Sequence, residues 1–181
     1  MRIEAFSRGK ILARPQDNED ALVALPGLGY AVIDGVSDRT GRPFGDVKGG
    51  RFAAALAQRA LAAFLAEEDL SRAQGEARGL RLVAALNAAL RAGYARLGIE
   101  QELEAAPQPR AGCAVSAVLH DGDDLLLVAV GDCGARFEGA FGRALIADAK
   151  PLDRISTLLR VEAWRRMEAK GASREARALA G

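Results

Sequence analysis

Ala21-Leu-Val-Ala-Leu25, Pro26-Gly-Leu-Gly29 and Tyr30-Ala-Val-Ile-Asp34-Gly35 form the stretch on which the fold turns. Two short apolar runs flank a turn rich in Pro and Gly, which predicts an antiparallel hairpin with its turn at 26–29. Facing positions then place Ala21 opposite Asp34 and Asp20 opposite Gly35. Glu19, Asp20 and Asp34 thus gather at the open end of one hairpin, where opposed side chains lie roughly 5 Å apart. Like charges that close are destabilising unless something neutralises them. A hard divalent cation does so, because Mg²⁺ and Mn²⁺ favour oxygen ligands. Turn chemistry alone also accounts for an Asp-Gly pair after a strand, and for an Asp at a strand end. Three carboxylates at one hairpin end favour the cation.

Downstream, residues 36–50 hold Gly41, Pro43, Gly45, Gly49 and Gly50 and read as a polar, mobile surface loop. The period then changes. Phe52, Leu56, Ala60 and Phe64 recur every four residues, which predicts an amphipathic helix over 50–67. Leu82, Leu86, Leu90, Tyr94 and Leu97 predict a second at about 77–97. The polar connection is short enough for an antiparallel helical pair across one sheet face, with Arg59, Glu68, Arg78 and Arg91 exposed. Residues 99–111, with Pro107 and Pro109, read as a linker. Cys113–Leu119 and Leu125–Val130 flank a turn containing Asp121-Gly122, a second hairpin signal. Its facing positions place Asp132 opposite Gly112, again away from the turn.

Ala135–Ile146 supplies one or two further strands, and the chain from Leu152 onward is expected to be helical. Strands and helices come in pairs, which does not suit a doubly wound parallel sheet. The expected class is α+β: antiparallel β-sheet layers with an antiparallel helical pair packed on one face, in a single domain over residues 1–181.

Composition excludes several functions. The 181 residues carry 25 Lys and Arg against 24 Asp and Glu, which leaves no electrostatic footprint for nucleic acid or a membrane surface. The longest apolar run, Leu125–Val130, is too short to cross a bilayer, and the N-terminus lacks an apolar signal core. A cytoplasmic location is expected. Cys113 and Cys133 have neither a disulfide framework nor zinc spacing and read as small reduced hydrophobes. The single histidine, His120, falls in a polar turn, which argues against Ser-His-Asp, Cys-His and multi-histidine zinc chemistry. Carboxylates must carry any catalysis.

Asn18-Glu19-Asp20-Ala21, Tyr30–Gly35, Gly112-Cys-Ala-Val-Ser-Ala-Val-Leu119 and Val130-Gly-Asp-Cys133 follow one another with the helical pair between the second and third. In that order they resemble the motifs of the protein phosphatase 2C family of metal-dependent Ser/Thr phosphatases, over roughly residues 1–150. The resemblance implies an αββα sandwich and a centre of two Mg²⁺ or Mn²⁺ ions. Asp34 would bridge the two ions, with Glu19 and the Gly35 carbonyl on one of them. Asp20 would support that shell, and Asp132 would match the ligand of a more weakly held third ion. The implied reaction is attack of a metal-activated water on the phosphoester of a phosphoprotein substrate, with no protein nucleophile.

Departures from the family pattern carry expectations of their own. The family's phosphate-binding Arg falls at Pro15, which leaves the adjacent Arg14 as the candidate. Cys113 and Ala114 replace a Thr pair, and Cys133 and Gly134 replace a Ser-Arg pair. The late Asp-Gly and Asp-Asn motifs of the family have no counterpart, since Asp148 and Asp153 have the wrong neighbours. An incomplete sandwich lacking the family's C-terminal third follows, with at most one weakly bound cation. The alternative is a catalytically impaired relative acting as a binding or regulatory module. A haloacid dehalogenase-type phosphatase is disfavoured, because Asp34-Gly35-Val36 lacks a second Asp two residues after the first.

Overall fold

The computed structural model describes residues 3–9, 13–37, 40–67, 74–139 and 142–146. They belong to one compact unit ending at Ile146. The helix expected from Leu152, the aspartates Asp148 and Asp153, and Glu68 lie outside the described residues.

Strands β1 (Ala21–Leu25) and β2 (Gly29–Gly35) form the expected first hairpin, and β5 (Cys113–Asp121) and β6 (Asp124–Val130) form the second. Strands β3 (Pro43–Phe44) and β4 (Val47–Lys48) lie between β2 and the helices. One antiparallel sheet results, in the order β1-β2-β5-β6. Helices α1 (Gly49–Glu67) and α2 (Gly75–Arg96) cover one face of it, α1 over β1, β2 and β5 and α2 over β6. A Cβ on Gly93, late in α2, would meet Leu56 Cδ1, early in α1, at 2.5 Å. The pair is therefore antiparallel, as the leucine periods predict, and Gly93 allows its close approach.

Period-2 alternation sorts the sheet's side chains. Ala21, Val23, Ala31, Ile33, Val115, Ala117 and Leu119 face the helices and bury against Ala54, Ala57, Leu61, Leu65, Leu82 and Leu86. The opposite face carries Leu22, Ala24, Tyr30, Val32, Ser116 and Val118. With Ile3 and Phe6 these residues line an apolar groove of about 640 Å³.

Several expectations are corrected. Both hairpin registers are displaced by one residue: Ala21 faces Ile33 rather than Asp34, and Val115 faces Val130, which carries Asp132 to Cys113 rather than Gly112. In the first hairpin the turn is the cause. It closes over Pro26, Gly27 and Leu28, with Leu28 N–H donating to Leu25 C=O at 3.0 Å, so Gly29 belongs to β2 instead of the turn.

Residues 99–111 are not all linker, because Glu100–Ala105 forms a short helix, α3. Leu103 anchors it in a second core with Phe44, Ala53, Tyr94 and Ala111. The glycine-rich loop is likewise not a free surface loop. β3 and β4 pair within it, and Phe44 is buried, stacked on Phe52 with ring centroids 5.1 Å apart.

Arg59 and Arg91 are exposed as expected, but Arg78 is not. Its side chain is 2% exposed and lies 3.2 Å from Asp121 Oδ1, while a second bond goes to the His120 carbonyl. Asp121 Oδ2 also accepts the Gly75 N–H at 2.8 Å, at the start of α2. A charged residue on the helix stripe is buried here because the β5–β6 turn brings it a carboxylate and a carbonyl. Beyond the sheet, β7 (Ala135–Gly139) and β8 (Gly142–Ile146) form the further pair of strands, as a separate antiparallel ladder.

Candidate functional site

The first acidic motif folds locally before it reaches the sheet. A 3₁₀ turn at Pro15–Asp17 is followed by Asn18, whose Oδ1 accepts the Asp20 N–H at 3.2 Å and whose Nδ2 donates to Ser7 Oγ at 2.7 Å. This turn presents Glu19 and Asp20 just ahead of β1. Asp20 sits one step before β1, at the position where the observed register meets Asp34, the penultimate residue of β2. Glu19 arrives beside Gly35.

Close packing of backbone defines this corner. A Cβ on Gly35 would lie 2.4 Å from the Glu19 carbonyl oxygen and 2.5 Å from the Gly50 carbonyl oxygen. A Cβ on Gly50 would lie 2.8 Å from Val36 O and 2.9 Å from Glu19 Oε1. Only glycine at both positions lets the end of β2, the acidic motif and the start of α1 touch. Glu19 Oε2 accepts a hydrogen bond from Ser37 Oγ, so its carboxylate lies between the start of the 36–48 loop and the first turn of α1. Arg51, in that same turn, donates to the Asp20 carbonyl at 3.4 Å.

Asp34 and Asp132 are both exposed. Asp34 stands across from Ala114 on the adjacent strand, and Asp132 follows the end of β6. Cys133 lies within electrostatic reach of both. Burial pushes its thiol pKa up, and the charges of Asp34, Asp132 and Asp20 push it further in the same direction. Cys113, which faces Gly35 on β5, is raised to about 11, by burial first and then by Cys133 and Asp34. The two cysteines that replace family hydroxyl residues therefore sit among these carboxylates as protonated thiols.

Arg14 is exposed and reaches Asp17 at 3.6 Å across the 3₁₀ turn. The structure thus brings Glu19 to Gly35 and Gly50, and Asp20, Asp34 and Asp132 act on Cys133 through their charges. Among the described residues, no three His, Cys, Asp or Glu side chains are grouped closely enough to hold a metal ion together. The donor chemistry, carboxylates and the Gly35 carbonyl, suits a hard cation, but the number of donors does not suit the implied pair of ions. Sequence reasoning missed Arg51, Gly50 and Ser37. Gly49-Gly50 at the head of a helix was the one signal that a close backbone approach was required there.

No protein-family model and no curated protein matches the chain. Solved structures do. One is the catalytic domain of the serine/threonine protein phosphatase PstP in complex with two manganese ions, at 26% identity and a TM-score of 0.50, covering 87% of this chain and 61% of that one. The chain is similar to the phosphatase 2C type, the family its motifs resemble. Another structure of the Mycobacterium tuberculosis serine/threonine phosphatase PstP matches at 26% identity and a TM-score of 0.48, covering 78% of this chain and 51% of that one. The chain thus spans between half and two thirds of the length of the phosphatase 2C structures it matches. As in the fold expected from the motifs, the sheets are antiparallel and the helices pack on them. Among the described residues, no helix is long and apolar enough to cross a membrane.

Proposed function

We propose that this chain is a metal-dependent phosphoprotein phosphatase-like module whose site takes at most one Mg²⁺ or Mn²⁺ ion, weakly, and turns substrate over slowly. The observation that carries this reading is the corner where Glu19, Gly35 and Gly50 pack against one another beside Asp20 and Asp34. Its elements come in phosphatase 2C order, on a fold similar to that of a manganese-bound phosphatase domain.

When bound, such a cation supplies charge neutralisation at the phosphoryl oxygens and lowers the pKa of a coordinated water. The chain's own residues provide the rest. Asp34 and the Gly35 carbonyl offer oxygen ligands from the end of β2, and Glu19 offers one from the opposite side of the glycine corner. Arg51 fixes the Asp20 backbone, which positions the Asp20 carboxylate near Asp34. Arg14, exposed at the rim, can meet an anionic substrate once it leaves Asp17.

Among the described residues, too few carboxylates converge to hold two ions, and Mg²⁺ prefers about six oxygen ligands. Losing a few kcal/mol of transition-state stabilisation slows hydrolysis by orders of magnitude. The same shortage of grouped ligands supports a second reading, a relative acting as a binding or regulatory module.

Calorimetric titration with Mn²⁺, combined with a single-turnover assay on a phosphopeptide in excess Mn²⁺, tests the proposal. The expected result is weak uptake of one ion per chain and slow hydrolysis abolished by Asp34→Ala. Robust turnover with two ions would restore the full enzyme, and no uptake at all would leave the binding module.

A further inference from the structure

The sheet face turned away from the helices is apolar, and one buried hydroxyl lies in it. Ser116, on the interior strand β5, is 4% exposed. Its neighbours across the sheet are Val32 on β2 and Ala129 on β6, and Val118 follows it on the same face. None of these side chains offers a hydrogen bond. Among the described residues, no partner reaches the Ser116 hydroxyl, although it lines the groove of about 640 Å³. A buried hydroxyl left unmet is destabilising, and native proteins rarely tolerate one.

Two stretches outside the sheet line the same groove, Ile3–Phe6 before β1 and Gly134–Ala135 after β6. They make the sheet face a floor with sides, of a size that suits small molecules, whose sites span about 300–1,000 Å³. A flat protein surface would rest on those sides and leave Ser116 unmet. Charge narrows the occupant further. Glu4 is the one charged residue of the described lining, and it is exposed. An anion finds no counter-charge there, and a cation would stay hydrated beside Glu4 and leave the floor empty.

We propose that this groove binds a neutral, largely apolar small molecule whose single hydrogen-bonding group meets the Ser116 hydroxyl. The body of the ligand covers Leu22, Val32 and Val118 and takes their apolar surface out of water. The hydroxyl both donates and accepts, so a carbonyl, an alcohol or an amine N–H satisfies it. This site shares no residue with the glycine corner and does not depend on a cation.

Fluorescence titration with N-phenyl-1-naphthylamine, a neutral diaryl amine with one N–H, tests the site on the full chain and on its Ser116→Ala and Ala24→Trp variants. Ala24 is exposed and lines the groove, so an indole there fills the groove without entering the core. Wild type should take up one dye per chain, saturably. Ser116→Ala should weaken uptake about fivefold, the scale of one neutral hydrogen bond, with no fall in its urea midpoint. Ala24→Trp should abolish uptake. No saturable uptake by wild type overturns the site, as does uptake that Ala24→Trp leaves unchanged. Loss in Ala24→Trp with full affinity in Ser116→Ala overturns the part given to the hydroxyl. Sedimentation velocity on the same samples reads the competing occupant: a dimer that the dye dissociates means that a second copy covers this face, and overturns the small-molecule site.

Discussion

Arg78 and Arg42 each join a helix to a turn through a carboxylate, yet they do so in different surroundings. The Arg78 side chain is 2% exposed and its partner Asp121 10%, whereas Arg42 is 21% exposed and Glu102 60%. At Arg78 water is excluded, the ion pair shares its carboxylate with the Gly75 N–H, and the guanidinium also takes the His120 carbonyl. At Arg42 the Glu102 carboxylate stays hydrated, and the guanidinium also lies over the Phe44 ring. The first contact fastens α2 to the β5–β6 turn and belongs to the stability of the fold. The second ties the loop carrying Arg42 to α3 at the surface.

The largest expected effect tests the buried contact. Removing one partner of a buried pair strands the other charge, at about 3–5 kcal/mol. Arg78→Met should therefore lower the urea unfolding midpoint severely, and Asp121→Asn should do so to a similar degree. A small effect from either would erase the distinction between the two arginines.

The glycine corner comes next. Gly35→Ala drives a methyl into two backbone carbonyls, which cannot rotate away as a side chain would, at a cost of about 1–3 kcal/mol. The same denaturation series measures it, and loss of Mn²⁺ uptake should accompany it.

A smaller effect concerns the thiols. Because Cys113 titrates at about 11 when folded and near its ordinary value of 9.0 when unfolded, the unfolded chain loses that proton first as pH rises. Its contribution to stability is full below about pH 9 and is lost as pH climbs through 11. Urea midpoints should fall over that interval in wild type and fall less in Cys113→Ala. Alkylation of Cys113 should be slow at neutral pH.

The smallest effect belongs to the exposed pair. Arg42 holds the Glu102 carboxyl below the usual carboxylate range, so the contact is present at neutral pH and fades as pH falls through that lowered value. Glu102→Gln should leave the thermal midpoint unchanged within error.

These contrasts explain which parts of the molecule the sequence discloses. Periodicity disclosed both hairpins and both long helices, because Leu82, Leu86 and Tyr94, like Phe52 and Leu56, repeat at the interval their burial requires. Register was less legible. Gly29 can end a turn or start a strand, and choosing wrongly moves every partner by one residue. Leu103 is the one side chain buried along α3, too little for a period, although Ile99 and Leu103 share its spacing. Arg78 looked exposed because it is charged. Its partner lies 43 positions away, a distance no local pattern spans. The carboxylates of the site were legible as a motif order, but Ser37 and Arg51, which orient them, are common residues with no signature of their own.

The glycine corner also bears on how this protein would tolerate change. A saturation library would show two nearly empty columns, at 35 and 50, in a neighbourhood where several acidic positions accept conservative exchange. An alanine scan read for missing functional groups would overlook both, since glycine offers nothing to delete. The vulnerability of this site to drift would then lie as much in carbon atoms that must never be added as in carboxylates that must be kept.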